Sequence, residues 1–289
     1  MGKIFYFHPV STINYNGRLF RDNEPIIQAS SRGLRYGDGL FETMKLRNGG
    51  LILSDEHFAR LWKGMQLLQF NIPKLWSPER FTEQVLQLAM KNELPQARVR
   101  LTVVRGEGGI FEAADKTPNY IIETTPLPER EILNTNGLQM CIYRDAVKTI
   151  DSFSNLKHNN CLPYFMGALY AKQQQCNDAL VLNSRGNICE ATIANAFFIK
   201  DNVISTPTLS EGCIAGVMRK CLVEKIREQG FSVHETAITI ADARAADEIF
   251  LSNSIYNCRW VADLEDKRYG NTVTRKIAET LYEKYPAIF

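Results

Sequence analysis

Lys157 is the residue whose type and position most directly suggest covalent chemistry. It follows a turn-rich segment and precedes a run, residues 161–175, whose apolar side chains recur at helical spacing. A cation at the start of a helix is repelled by the positive end of the helix dipole, so helix stability does not account for it. A lysine amine can form a Schiff base with an aldehyde. The competing interpretation is a solvated surface lysine.

Three further groups suit a cofactor that is anionic and electrophilic. Glu190 follows a turn on an apolar strand, where a carboxylate is costly unless a cationic or proton-donating group pairs with it. Gly216 opens a helix, so the amides of Val217 and Met218 could bind a phosphate. Arg60, beside the apolar stripe of another helix, could add a charge-assisted hydrogen bond. A reactive amine, an acid and a phosphate site are the requirements of pyridoxal 5'-phosphate.

Composition and charge bound the class of protein. The chain has 289 residues, of which 45% are hydrophobic and 23% charged, as in a soluble globular protein. Its net charge of +2 gives no support for nucleic-acid binding, and no apolar run approaches the length of a membrane span. The 7 cysteines are scattered without a Cys-x-x-Cys pair, which indicates neither a disulfide framework nor a metal site. We expect a cytoplasmic protein.

The element pattern predicts two domains of mixed α/β structure. We place an N-terminal domain over residues 1–125, a linker over 126–136 and a C-terminal domain over 137–289. In the first domain we expect a hairpin within residues 3–29 and then a tight glycine-rich loop, beginning at residue 32, that leads into a strand over 41–46. Ser54 should cap one helix and Ser77-Pro78 should open a second, and an alternating strand should cover 98–103.

In the second domain, strands and helices should alternate. Strands are predicted over residues 138–144, 179–182, 196–200, 232–236 and 248–251, and helices over 161–175, 217–228, 241–246 and 272–283. The first of these helices carries one apolar stripe, made of Leu162, Phe165, Met166, Leu169 and Tyr170.

Ordered motifs from residue 32 to about residue 261 resemble the class IV aminotransferases, which are the fold-type IV pyridoxal-phosphate enzymes. That family includes branched-chain aminotransferases, D-amino-acid aminotransferases and aminodeoxychorismate lyases. The most specific motif is Glu-Ala-Thr-Ile-Ala-Asn-Ala-Phe at residues 190–197. The other matching segments are residues 36–42, 57–61, 157–160, 216–219 and 248–254.

The resemblance implies a fold and a set of roles. The fold is a two-layer α/β N-terminal domain joined to a C-terminal α/β pseudobarrel, with the cofactor between them and usually a homodimer. Lys157 matches the lysine that carries the cofactor as a Schiff base and then moves the substrate proton. Glu190 matches the acid that keeps the pyridine nitrogen protonated. The other implied cofactor contacts are Arg60, the amides of Val217 and Met218, Asn253 and Ser254.

Two reactions on a small-molecule substrate remain open. The Lys157-His158 pair followed by Asn is similar to the Lys-His-x-Asn of the lyases, and Thr43 matches a lyase threonine at the reacting region. These features slightly favour 4-amino-4-deoxychorismate lyase, which forms 4-aminobenzoate, a folate precursor, and pyruvate. Glu42 resembles the transaminases and supports the alternative, an amino-acid transaminase for branched-chain or D-amino acids.

The expected substrate contacts are Tyr36, Glu42 and Arg100. The lyase substrate carries two carboxylates, and Ile110 occupies the place where some lyases have an arginine. Arg100, on the polar face of its strand, is the expected substitute. A third interpretation, a catalytically idle protein that kept the fold, is disfavoured because such a protein would have no chemical use for Lys157 and Glu190.

Overall fold

The computed structural model describes residues 11–110, 116–129 and 131–289. The chain divides into two compact units. The N-terminal unit comprises residues 1–127 together with 158–160, and the C-terminal unit comprises residues 128–157 and 161–289. The change of unit at residue 127 falls inside the predicted linker, whereas the assignment of residues 158–160 to the N-terminal unit was not expected. The predicted hairpin lies outside the described residues in its first part, before residue 11.

The N-terminal unit contains a six-stranded antiparallel sheet in the order β2-β1-β6-β5-β3-β4. Helices α2 and α3 contact this sheet and each other. Alternate residues of β5, among them Val99 and Leu101, are fully buried, as the predicted alternation requires. The bounds are β1 Thr12–Tyr15, β2 Arg18–Arg21, α1 Arg32–Tyr36, β3 Gly39–Arg47, β4 Gly50–Leu51, α2 Ser54–Leu67, α3 Pro78–Lys91, β5 Ala97–Arg105 and β6 Pro118–Pro126.

Local sequence predicts some helix ends in this unit but not all. The predicted Ser54 cap is wrong, because Leu53 is the N-cap of α2, in a left-handed conformation, and Ser54 is the first helical residue. The hydroxyl of Ser77 accepts a hydrogen bond from the Arg80 amide at 3.2 Å, and Pro78 occupies the first turn of α3, so this predicted helix start is confirmed. The predicted loop begins at residue 32, but its first five residues form the short helix α1. Gly37 ends that helix with φ of +63°, a left-handed conformation that glycine adopts without strain.

The C-terminal unit contains a nine-stranded mixed sheet, in the order β12-β11-β10-β13-β14-β7-β8-β9 with β15 paired to β14. The main core lies on one face of this sheet, where Ile142, Leu180 and Ile249 belong to one buried cluster. The bounds are β7 Leu138–Lys148, α4 Leu162–Gln173, β8 Asp178–Asn183, β9 Ile188–Ala191, β10 Asn195–Lys200, β11 Val203–Pro207, α5 Val217–Glu228, β12 Val233–Thr236, α6 Ile240–Ala245, β13 Glu248–Asn253, β14 Asn257–Leu264, β15 Lys267–Arg268 and α7 Thr272–Lys284. The predicted mixed α/β class is confirmed.

A bulge in β7 changes which face its last residues occupy. Tyr143 pairs with Val181 on β8, but the next pair is Val147 with Leu182, so residues 144–146 have no partner on β8. Three inserted residues reverse the alternation of a strand. Lys148 consequently lies on the face of Tyr143, opposite the face that packs into the main core.

Candidate active site

Glu190 is a buried carboxylate, 2% exposed, that accepts hydrogen bonds from four N–H and O–H donors of the described residues and a longer one from the Cys189 thiol at 3.9 Å. Lys148 Nζ donates to Oε1 at 2.7 Å and the hydroxyl of Tyr164 donates to the same oxygen at 2.6 Å. The amide of Ile214 lies 3.0 and 3.1 Å from the two oxygens, and Asn195 Nδ2 donates to Oε2 at 3.1 Å. The cationic partner that a carboxylate on an apolar strand requires is therefore Lys148.

Tyr164 reaches Glu190 from the first turn of α4, which packs on β7 and β8. Burial raises the pKa of the Tyr164 phenol well above its ordinary value, and the negative charge and hydrogen bond of Glu190 raise it further. The phenol therefore stays protonated and serves as a donor to the carboxylate.

The loop of residues 213–216 joins Glu190 to the start of α5. Its residue Ile214 donates its amide to Glu190 and accepts a hydrogen bond from Asn195 Nδ2 at 3.0 Å through its carbonyl. Gly216 is the N-cap of α5, and a Cβ there would lie 2.0 Å from Asn195 Oδ1, so the close approach requires glycine. Two motifs predicted separately, the acid and the helix start, are thus held together.

The first turn of α5 has the properties of an anion site. Its N-cap, Gly216, has no side chain with which to cap the helix, whose first residues are Val217 and Met218. The buried hydroxyl of Ser252 has no hydrogen-bond partner within the described part of the chain. Ser252 is paired in register with Asn195, which also contacts Gly216. Uncapped amides and an unsatisfied hydroxyl near one another are groups that a phosphate ester would satisfy.

The segment that carries Lys157 is bonded to the same loop through Asn155. The side-chain amide of Asn155 donates to the carbonyls of Leu209 and Cys213, at 2.9 and 2.6 Å. The backbone carbonyl of Asn155 accepts a hydrogen bond from the amide of Ala215 at 3.0 Å. Lys157 follows two residues later and is partly buried. The 213–216 loop is therefore bonded to the segment carrying the predicted lysine and to the predicted acid, and it opens the predicted phosphate helix.

The residues directly after Lys157 pack on β3. Leu40 and His158 form an isolated antiparallel bridge, and the Asn159 amide donates to the Gly39 carbonyl at 3.0 Å. A Cβ on Gly39 would lie 2.6 Å from Asn159 Nδ2. The glycine-rich motif thus makes room for the chain that follows the lysine, which bare glycine spacing did not indicate.

Arg60 is held by a buried acid in the N-terminal unit. Its Nε and Nη2 donate to the two oxygens of Glu42 at 2.8 and 2.5 Å, and His57 Nδ1 lies 2.7 Å from Glu42 Oε2. Burial by itself raises the pKa of Glu42, but the charge of Arg60 and the hydrogen bonds of both partners outweigh burial and lower it to about 2. Glu42 is only 1% exposed, so it orients Arg60. The expected contact of Glu42 with substrate stays a prediction, while its carboxylate is bonded to Arg60 and His57.

We expect Glu42→Gln to make the N-terminal unit less stable at pH 7 by ~3 kcal/mol, the equivalent of a pKa lowered from 4.5 to about 2. Because the folded pKa lies below the unfolded value, the stabilisation is present above about pH 5 and is lost as the pH falls toward 2. The variant should therefore show a flatter dependence of unfolding free energy on pH in that window. Urea titrations followed by tryptophan fluorescence measure it.

Trp62 and Trp76 report on this unit because both rings pack on Phe81, with centroid distances of 5.9 and 5.1 Å. A Trp260→Phe background removes the signal of the other unit. Glu123→Gln is the matched control, because Glu123 also pairs with an arginine but its side chain is 48% exposed. Its carboxylate lies 4.0 Å from the Arg100 guanidinium, so this ion pair is long and weak. Equal pH profiles for the wild-type protein and Glu42→Gln would show that the ion pair does not set acid stability.

Thr43 and Arg100 are direct partners on β3 and β5 and share a sheet face with Phe41, whereas Glu42 lies on the opposite face. The Arg100 guanidinium lies 3.9 Å from the centre of the Phe41 ring. A predicted catalytic residue, Thr43, and a predicted substrate contact, Arg100, are therefore neighbours. Tyr36 lies at the end of α1, where its ring is 5.3 Å from the Arg32 guanidinium.

The turn after β13 contains Asn253 and Ser254. Asn253 Oδ1 accepts the amides of Ile255 and Tyr256 at 3.0 and 2.9 Å, and its Nδ2 donates to the Ile193 carbonyl at 3.3 Å. The amide side chain thus shapes the turn, and its expected contact with cofactor stays a prediction. Ser254 lies within this turn and is partly buried.

Lys148, Tyr164, Asn155 and Ser252 were not predicted as site residues. A signal existed for Tyr164, since an aromatic residue one turn into the helix after Lys157 is close in sequence to the reactive lysine. No sequence signal marks Lys148, because its face depends on the bulge in β7.

Comparison with known proteins identifies the family. The family model for amino-transferase class IV matches residues 39–264, and the chain belongs to this family. It is 26% identical over 277 residues to a putative branched-chain-amino-acid aminotransferase of Methanocaldococcus jannaschii, covering 96% of each chain. It is 28% identical over 268 residues to an aminodeoxychorismate lyase of Bacillus subtilis, covering 90% of this chain and 88% of the lyase.

The fold is also that of a solved relative. The crystal structure of a branched-chain amino acid aminotransferase of Escherichia coli matches with a TM-score of 0.84 at 22% identity, over 96% of this chain and 94% of that chain. The predicted fold-type IV architecture is confirmed. The chain is an enzyme of the class IV aminotransferase family, which uses pyridoxal phosphate.

Proposed function

We propose that this enzyme binds pyridoxal 5'-phosphate at the C-terminal unit through Lys157, Glu190 and the start of α5. The observation that carries the proposal is that one loop, residues 213–216, is bonded to Glu190 and to the Asn155 segment and also opens α5. The residues fit the cofactor, since a buried acid, uncapped helix amides and an unsatisfied hydroxyl lie around Asn195. When bound, the cofactor supplies an aldehyde for an amine and a ring that withdraws electrons.

The chain's own residues would divide the work as follows. The Lys157 amine holds the cofactor and moves the substrate proton. Glu190, kept in place by its four donors, accepts a hydrogen bond from the ring nitrogen. The amides of Val217 and Met218 bind the phosphate. Arg60 and Ser254 are proposed as further phosphate contacts on the basis of the family resemblance.

For the reaction, we favour 4-amino-4-deoxychorismate lyase, which releases pyruvate and leaves 4-aminobenzoate. Its support is the pairing of Thr43 with Arg100 on one face of the N-terminal sheet. A guanidinium there suits a substrate with two carboxylates. The transaminase indication from Glu42 loses weight because that side chain is buried against Arg60 and His57.

An amino-acid transaminase is the second candidate. It is favoured by the similarity to the M. jannaschii aminotransferase, which extends over 96% of this chain. The two reactions differ in products, so one assay separates them. Purified enzyme given aminodeoxychorismate should release pyruvate and 4-aminobenzoate in equal amounts. Rapid amino exchange between 2-oxoglutarate and leucine or D-alanine, without pyruvate from aminodeoxychorismate, would refute the lyase assignment.

We also propose that the enzyme is a homodimer and acts in the cytoplasm. No helix of the described segments is long and apolar enough to cross a membrane.

The apolar stripe predicted for α4 exists, but its members Leu162, Phe165, Met166 and Leu169 are 68%, 60%, 39% and 40% exposed. A contiguous apolar helix face of this kind marks an interaction surface, and a second copy of the same face would cover it isologously.

We expect Phe165→Glu to shift the enzyme toward monomer, raising the dimer dissociation constant at least about 10-fold, because a charge would be buried in an apolar contact. Sedimentation velocity over a concentration series measures the shift. Met90→Glu is the control, since Met90 is an equally apolar residue that is 79% exposed on α3. If both variants sediment as the wild-type protein does, the α4 face is not the dimer contact.

A further inference from the structure

The interaction between Lys148 and Glu190 is a buried ion pair that the proposed chemistry does not by itself require. The Lys148 and Glu190 side chains are 7% and 3% exposed, and their charged atoms are 2.7 Å apart. Lys148 Nζ also lies 5.2 Å from the centre of the Tyr164 ring, so the ammonium is enclosed by an aromatic face as well as by the carboxylate. A charge in such a place is retained only where its partner is fixed.

The fold places the two side chains to meet across one strand. Lys148 on β7 pairs with Asn183 of β8, and Glu190 on β9 pairs with Val181 of β8. Residues 181 and 183 point to the same face, so Lys148 and Glu190 also share that face. Strands two apart in a sheet are separated by roughly 9.6 Å, twice the spacing of neighbouring strands. A lysine or arginine side chain on one of these strands and a glutamate on the other are together long enough to meet over the strand between them.

We propose that Lys148 is the resident counter-charge of Glu190: it fixes the carboxylate in the cofactor-free enzyme and shares it with the ring nitrogen once pyridoxal phosphate is bound. The second half of this inference rests on the proposed function. The Lys148 ammonium is a cation that donates a hydrogen bond directly to Glu190, beside the neutral donors Tyr164, Asn195 and Ile214. The bound ring adds a second positive group beside the same carboxylate.

Lys148 is thus a positioning residue that acts through Glu190. Its removal should affect the cofactor-free and cofactor-bound proteins differently. Without cofactor, Glu190 would be a buried carboxylate with only neutral donors, a costly arrangement. With cofactor, the ring nitrogen would replace the missing charge in part. If the Lys148 side chain contributed only packing, its removal would lower the stability of the cofactor-free and cofactor-bound proteins equally.

The test is thermal unfolding of Lys148→Met and Lys148→Arg, each with cofactor removed by hydroxylamine and after reloading with pyridoxal phosphate. Lys148→Met should lower the Tm of the cofactor-free form by ~10 °C, and its gain on reloading should exceed the wild-type gain by about 5 °C. Lys148→Arg should retain most of the wild-type Tm in both forms. Lys200→Met is the control, because Lys200 forms an exposed ion pair with Asp247 at 2.8 Å and should change neither value appreciably.

A double-mutant cycle on the cofactor-free protein tests the pair without reference to the cofactor. Glu190→Gln and Lys148→Met should be strongly non-additive, so that the double variant has a Tm close to that of the worse single variant. Additive losses in the cycle, or equal losses for Lys148→Met with and without cofactor, would overturn the inference. If the wild-type protein shows neither a Tm gain nor a new absorbance band with pyridoxal phosphate, the proposed function fails, while the cycle still decides whether Lys148 holds Glu190.

Discussion

Lys157→Ala is expected to reduce turnover of the physiological substrate by at least about 10³-fold, because it removes both the amine that holds the cofactor and the group that moves the proton. The fold should persist, since Lys157 is only partly buried and the hydrogen bonds of its segment to the 213–216 loop are made by Asn155. Steady-state kinetics and circular dichroism together check both parts.

A chemical readout accompanies the kinetic one. Borohydride treatment of the wild-type protein loaded with pyridoxal phosphate should fix a pyridoxyl group on Lys157, identified by peptide mass spectrometry. Lys172→Ala is the matched control, since Lys172 is an exposed lysine in the last turn of α4. It should keep full turnover and full labelling. Full turnover in Lys157→Ala would refute the assignment of this lysine and the cofactor chemistry built on it.

Glu190→Gln is expected to lower turnover by about 10²-fold, because a neutral amide cannot favour a protonated ring nitrogen as a carboxylate does. It should also destabilise the protein by about 3 kcal/mol, because Lys148 would remain buried without its anion. Turnover measured per folded molecule separates the two effects. The wavelength and pH dependence of the bound-cofactor absorbance should change with the kinetics.

A second buried acid provides the comparison for Glu190. Glu248 is 5% exposed and accepts the amides of Val273 and Thr274, both at 2.8 Å, at the start of α7. Glu248→Gln should lower stability through loss of this helix cap and leave turnover per folded molecule and the absorbance spectrum unchanged. If Glu190→Gln behaves like Glu248→Gln, Glu190 has a structural role only.

The sequence was sufficient for the parts of the site that depend on local spacing. A carboxylate directly after a turn, as at Glu190, and a glycine before an apolar helical run, as at Gly216, carry their meaning within a few residues. The start of α3 at Pro78 was predictable for the same reason. Family motifs added the order of these segments, and the fold class followed from the alternation of strands and helices.

Other features needed the tertiary structure because they depend on pairing between distant segments. The burial of Glu42 against Arg60 and His57 requires β3 to face α2, which no local pattern specifies. The 213–216 loop is bonded both to Glu190 and to Asn155, and the Asn155 bonds reach residues far along the chain.

Lys157 and Lys148 illustrate the division. The sequence predicts Lys157 as the reactive lysine, because its neighbours on either side form a recognisable motif. It gave no reason to distinguish Lys148 from a surface lysine. Only the bulge at residues 144–146, fixed by the pairing of β7 with β8, turns that side chain toward Glu190 and away from the main core. The prediction of the reactive amine rests on local sequence, whereas the contact of Lys148 with Glu190 depends on strand register.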